Sequence, residues 1–255
     1  MDIEKYRKLF PITQKWIYLN HAGTSPLPRP VVQAMTKHLG DTSRNGSIHG
    51  KYWFRDIQKG RELAARLING SPPEIAFIKN TSEGLSWIAN GIHWNAGENL
   101  ITANVEYPAN VYPWLNISNL GVETRFVKER EGKIYPEDIE QAMDHKTRLL
   151  AISSVEFSSG YRNDLKLLGN LCRQKGILFV VDAIQSLGAF PLDVQQDKID
   201  ILAAGAQKWL LGPAGVGILY CRREILDQIR VTVVGADSVI NAEDYLNYDF
   251  TLKPD

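Results

Sequence analysis

The chain has 255 residues, 44% hydrophobic and 23% charged, enough to bury a sizeable core and too apolar for a disordered segment. Its 29 basic and 29 acidic residues cancel, which gives no charge-driven reason to expect nucleic acid or an anionic membrane as partner and points to a small ligand. No apolar run reaches bilayer length and the opening MDIEKYRKLF lacks the plan of a secretory leader, while Cys172 and Cys221 have neither disulfide-framework nor zinc spacing, so a cytoplasmic globular protein without a metal is expected.

Taken in chain order, helical periodicity appears at residues 31–39 and 53–68, a short apolar run at 75–78, a helix at 85–92, and apolar runs at 99–103 and 123–127. A helix over 136–143, a run at 148–153 and a helix over 165–175 follow, and then runs at 177–181, 201–204 and 216–220. Brief, partly β-branched runs that alternate with helices predict α/β architecture with a mostly parallel sheet flanked by helices. Residues 1–68 are expected to form a helical segment packed on a large domain of 69–230, with 231–255 opening a further C-terminal region. Ligands of such sheets gather beyond the carboxyl ends of the strands, so the polar residues that follow each run are the first candidates.

Four segments answer that description. Lys79-Asn80-Thr81-Ser82-Glu83-Gly84 joins a strand to a helix and places hydroxyls and unpaired N–H groups where an anion such as phosphate can bind, although a hydroxyl there also serves as an ordinary cap. In Glu106-Tyr107-Pro108-Ala109-Asn110, Tyr107 can lay its ring on a flat ligand or pack in the core. The run 177–181 ends in Asp182, followed by Ala183-Ile184-Gln185; a carboxylate at the end of a buried strand needs a cation or several donors, and a protonated ring nitrogen would serve. Last, Gly205-Ala206-Gln207-Lys208-Trp209 sets a lysine beside bulky apolar residues, where desolvation disfavours the ammonium and leaves an amine able to attack an aldehyde. Each segment alone has an ordinary structural reading, and the specificity lies in their order.

That order resembles the class V aminotransferase and cysteine desulfurase family, pyridoxal-phosphate (PLP) enzymes of fold type I, from Tyr18-Leu19-Asn20-His21-Ala22-Gly23-Thr24-Ser25-Pro26 to the antiparallel-like strand after the lysine. The resemblance implies that Lys208 is the catalytic Schiff-base lysine, that Asp182 pairs with the pyridine nitrogen, and that Gln185 contacts the phenolic oxygen. Thr81 and Ser82 would bind phosphate, Tyr107 would stack on the ring, and His21 and Ala22 would border the substrate, a small amino acid. An aminotransferase or lyase acting as a homodimer is implied, with a cysteine desulfurase or selenocysteine lyase as the alternative. The sequence departs from the pattern at Gln207, where desulfurases carry His after a Ser-Gly pair, and at Phe157, where many members place an asparagine. Gln207 still offers an amide donor to the phosphate. Family members continue through a smaller C-terminal domain, which is expected to lie beyond Asp255, and a chain without it could be a non-catalytic PLP-binding or dimerisation module.

Gly212-Pro213-Ala214-Gly215-Val216-Gly217 precedes a strand instead of opening a helix, so it reads as a tight turn and not a nucleotide loop. Trp53, Phe54, Trp87 and Trp94 read as core or interface residues, and the histidines other than His21 as scattered surface groups.

Overall fold

The computed structural model describes residues 2–253, so Met1 of the N-terminal segment and Pro254 and Asp255 of the C-terminal one lie outside the described residues. Among the described residues seven strands are laid down in chain order: β1 (Ile75–Ile78), β2 (Asn99–Ala103), β3 (Glu123–Val127), β4 (Thr147–Ser153), β5 (Leu178–Asp182), β6 (Ile201–Gly205) and β7 (Gly217–Cys221). They form one sheet in the order β1-β7-β6-β5-β4-β2-β3. β7 runs antiparallel to both its neighbours, and the pairs β2–β3, β2–β4, β4–β5 and β5–β6 are parallel. The fold class therefore agrees with the alternation of the sequence.

Among the described residues the α-helices are α1 (Ile3–Arg7), α2 (Arg29–Asn45), α3 (Gly50–Leu67), α4 (Thr81–Gly91), α5 (Tyr112–Asn116), α6 (Pro136–Ala142) and α7 (Leu165–Lys175). Successive side chains of a strand point to opposite faces, and both faces of the central strands are covered. On one side Ile101, Ile152, Phe179, Val181 and Leu202 pack with Ala65 of α3, Ile139 of α6 and Leu168 and Cys172 of α7. On the other, Leu100, Leu149, Val180, Ile201 and Ala203 pack with Leu85, Ile88 and Ala89 of α4 and Trp114 of α5. This double cover is why the strands read as continuous apolar runs. Trp87 and Trp94 pack against the second cluster, whereas Phe54 stands exposed on α3.

α7 shows how sequence fixes an element's ends. Asp164 caps it by accepting from the Leu167 N–H at 2.9 Å, and Gly176 closes it in the left-handed region at φ 70°. A Cβ on Gly169 would lie 1.9 Å from the Asp197 carbonyl oxygen, so only glycine lets that loop approach the helix. At the amino ends of the central strands, buried Asp200 accepts from the Phe179 N–H at 2.9 Å and from Arg222 Nε at 2.7 Å, which ties β5, β6 and β7 together.

Candidate active site

All parallel strands end on the same edge of the sheet, and the loops beyond them enclose a cavity of about 470 Å³, a size suited to a small cofactor or metabolite. Its lining includes Ala22, Thr81, Ser82, Tyr107, Asp182, Gln185, Gln207 and Lys208. The topology thus brings together residues as distant in sequence as 22 and 208.

β5 delivers Asp182 to the floor. Its Oδ1 accepts from the Ile184 N–H at 2.9 Å, while Oδ2 is buried without a partner. Burial pushes the carboxyl up to about 6, against the opposing effects of the Ile184 N–H and the Lys208 charge. A buried acceptor left in that state is costly unless a donor or cation from a ligand meets it.

β6 delivers Lys208. After Gly205 the chain turns: the Ala206 N–H donates to Val216 O at 2.9 Å, the Gly212 N–H to Ala206 O at 2.8 Å and the Leu211 N–H to Lys208 O at 3.0 Å. A Cβ on Gly188, whose φ is 98°, would lie 2.3 Å from the Trp209 carbonyl oxygen, so a glycine is needed for the lysine loop to seat against the segment after β5. Burial lowers the Lys208 pKa and the Asp182 charge partly restores it. Lys208 Nζ lies 5.6 Å from the centroid of the Tyr107 ring, and that ring meets Phe157 edge-on at 5.2 Å.

The loop between β1 and α4 forms the third wall. Its N-cap is Asn80, whose Oδ1 accepts from the Glu83 N–H at 2.9 Å, so the hydroxyls of Thr81 and Ser82 are not consumed as caps. Buried Thr81 accepts from the Gly205 N–H at 3.2 Å and keeps its own hydroxyl proton to donate, and Ser82 is exposed. The first N–H groups of a helix lack intrahelical acceptors, and the helix dipole favours an anion there. Gln207 contributes a side chain whose Oε1 is buried without a partner.

Gln185 does more than the sequence suggests. Its Nε2 donates to Ala22 O at 3.0 Å and its Oε1 accepts from Trp209 Nε1 at 3.1 Å, so this one amide joins the opening loop to the lysine loop. The Ser25 N–H adds a bond to Gln207 O at 2.9 Å, and the Tyr18 hydroxyl donates to Thr24 O. Ala22 lines the cavity and His21 does not; the His21 ring lies 5.6 Å from those of both Trp209 and Tyr18.

Two buried carboxyls beside the cavity escape a reading centred on Tyr107 and Phe157. Glu106 follows β2 and accepts from the Ser153 N–H and hydroxyl, each at 2.5 Å; Glu156 follows β4 and accepts from Asn163 Nδ2 at 2.7 Å. Each stands three residues past an apolar run and not directly after it as Asp182 does, so the sequence signal that singles out Asp182 is much weaker at both positions.

Residues 17–252 match the family described as Aminotransferase class-V. The chain belongs to the class V aminotransferase family. Within that family it is 34% identical to a probable cysteine desulfurase of Methanothermobacter thermautotrophicus, over 99% of this chain and 65% of that protein. It is 30% identical to an uncharacterized aminotransferase of Bacillus subtilis, over 89% of this chain and 60% of that one. An apo cysteine desulfurase of Thermococcus onnurineus superposes with a TM-score of 0.86 at 30% identity, covering 92% of this chain and 61% of its own. A C-DES variant with glycine covalently linked to its PLP cofactor superposes with a TM-score of 0.84 at 26% identity, covering 91% and 63%. The chain thus spans less than two thirds of the length of these class V relatives.

Proposed function

We propose that this chain binds PLP through Lys208 and acts on a small amino acid as an aminotransferase or lyase. The observation that carries the reading is the partnerless, buried Asp182 Oδ2 on the floor of the cavity into which Lys208 also faces. The residues present fit the cofactor: a carboxylate for a protonated ring nitrogen, an amine of lowered pKa for an aldehyde, an aromatic wall for a flat ring and a helix N-terminus for a phosphate. When bound, PLP supplies that aldehyde and a ring that takes up electrons from the substrate α-carbon.

In this reading Asp182 would hold the ring nitrogen protonated, and Tyr107 would supply the aromatic wall for the ring. Thr81, Ser82, Gln207 and the first N–H groups of α4 hold the phosphate. Gln185 has a second amide proton left for the phenolic oxygen while its first keeps Ala22 in place. The side of the opening loop that carries Ala22, and not the His21 ring, borders the substrate. Lys208 Nζ, an amine of lowered pKa facing the cavity, would take or return the proton at the substrate α-carbon.

A cysteine desulfurase is the second reading, supported by the names of the relatives. Neither cysteine of this chain lines the cavity: Cys172 is buried in α7 with its thiol pushed up by burial, and Cys221 ends β7. A homodimer is supported by the large apolar side chains that the N-terminal segment leaves exposed, Trp16, Ile17, Leu19 and Phe54 among them. Among the described residues no helix is long and apolar enough to cross a membrane, and we place the protein in the cytoplasm.

The test is turnover by the PLP-loaded chain of a panel of small amino acids, with and without a keto acid. Loss of amino acid with matching keto acid or elimination product supports the reading. Sulfide release from cysteine favours the desulfurase, and a loaded chain inert toward every substrate refutes catalysis and leaves a PLP-binding module.

A further inference from the structure

Three acids converge behind the cavity floor, one from the end of each of three strands. Ser153 of β4 is in register with Asp182 of β5, and Ser153 is gripped by Glu106 through its N–H and hydroxyl. Glu156, three residues further on, is tied by Asn163, whose Nδ2 donates both to Glu156 Oε1 at 2.7 Å and to Ser153 O at 2.8 Å. All three carboxyls are buried, with exposures of 6% for Glu106, 1% for Glu156 and 2% for Asp182. Glu156 Oε2 and Asp182 Oδ2 each lack a partner. The charged groups that face Glu156 are Asp182 and, from the loop after β2, Glu106; Lys208, beyond Asp182, is the cation whose charge reaches the cluster among the described residues.

Like charges this close in a dry site cannot all be ionised, and the protons come off the group in separate steps. Asp182 has the Ile184 N–H and the Lys208 charge in its favour. Glu156 has only the Asn163 amide, and burial together with the Asp182 charge pushes it up to about 7. Burial first, and the neighbouring Glu156 second, push the Glu106 carboxyl well above the ordinary glutamate value.

We propose that Glu156 is a positioning residue of the cofactor site: it holds a proton while Asp182 is charged, and so sets how much negative charge stands behind the carboxylate that faces the ring. The inference deepens the PLP reading and rests on it for its link to the cofactor. Family membership does not require it, since it follows from the partnerless Oε2 and the convergence of three strand ends.

The experiment compares the full chain with Glu156→Gln, which keeps the shape and cannot ionise. In the cofactor-free proteins the folded wild type retains a proton that the unfolded chain releases above the ordinary glutamate value of 4.5, up to about 7. Wild-type stability therefore falls through that window, and the variant is spared the fall. The expected result in urea unfolding is that the ratio of wild-type to variant unfolding constants rises by about tenfold or more between pH 5 and pH 8. In the PLP-loaded proteins, where Asp182 is charged and Glu156 therefore protonated, the amide of the variant removes no charge, so the visible absorbance band of the lysine-bound cofactor titrates at the same pH in both chains. A merely structural Glu156 would leave the two stability curves parallel. Parallel stability curves, or a titration moved to lower pH in the variant, which would mean that Glu156 is ionised behind Asp182, overturn the proposal. If the variant does not fold, carbon-13 NMR of glutamate carboxyls in the wild type decides: two carboxyls still protonated at pH 6 support it, and all glutamates ionised by pH 5.5 refute it. A stability difference in a chain that forms no reducible adduct on Lys208 would overturn the cofactor role together with the PLP reading, whereas an adduct with parallel stability curves would remove this inference alone.

Discussion

Asp182→Asn separates the stability cost of the buried carboxyl from its use. Burial carries Asp182 from its ordinary 3.8 to about 6, so between those values the folded chain holds a proton that the unfolded chain has released. Stability falls as pH rises through that window, and the cost is fully present above it. The displacement is worth about 3 kcal/mol at pH 8 and roughly half of that at pH 5. Asparagine keeps the acceptor for the Ile184 N–H but puts an amide nitrogen where the partnerless oxygen lies, which costs about 1–3 kcal/mol at either pH. That second cost cancels when the two pH values are compared. Urea unfolding of the cofactor-free chains, at one protein concentration, should therefore show the variant gaining about 1–2 kcal/mol on the wild type between pH 5 and pH 8. The same variant should bind PLP at least about tenfold more weakly, since a neutral amide replaces a charge-assisted bond to the ring nitrogen. Equal stability differences at both pH values, or unchanged PLP affinity, would refute the reasoning.

Three further substitutions test the frame that holds the site. Asn80→Ala removes the cap of α4 and should lower stability by about 1 kcal/mol in thermal or urea unfolding, with weaker phosphate binding as the first turn frays. Gly169→Ala forces a methyl group into the Asp197 carbonyl; a loss of about 1–3 kcal/mol is expected, with a lower thermal midpoint. Asp200→Ala strands Arg222 and the Phe179 N–H at the amino ends of β5 and β6, and should cost about 3–5 kcal/mol by urea unfolding.

Much of this architecture was legible because burial on both sheet faces writes itself into composition. The runs at residues 75–78, 99–103 and 123–127 coincide with β1, β2 and β3. α4 begins at Thr81, four residues before its apolar periodicity starts at Leu85, because its first turn is built of polar and small residues and is held by the Asn80 cap. α5 left no periodic signal: it has five residues with a proline in its first turn, and it is anchored by buried Trp114, whose indole N–H donates to Asn110 Oδ1 at 3.0 Å. Strand order is a tertiary outcome, and nothing local to 217–221 says that β7 enters between β1 and β6. The same limit applies to the site. Asp182, Lys208 and Thr81 follow strands and could be named from that alone, while Glu106 and Glu156 look like surface acids until Ser153 and Asn163 arrive from elsewhere in the chain. His21 was the converse case, since only the fold shows its ring turned toward Trp209.

The most direct test of the central claim is peptide mass spectrometry of the full chain after incubation with PLP and reduction with borohydride, with Lys208→Ala in parallel. The account predicts one reduced pyridoxyl adduct, on Lys208, that the variant lacks. A folded wild-type chain with no adduct, or with an adduct on another lysine that persists in the variant, would contradict it.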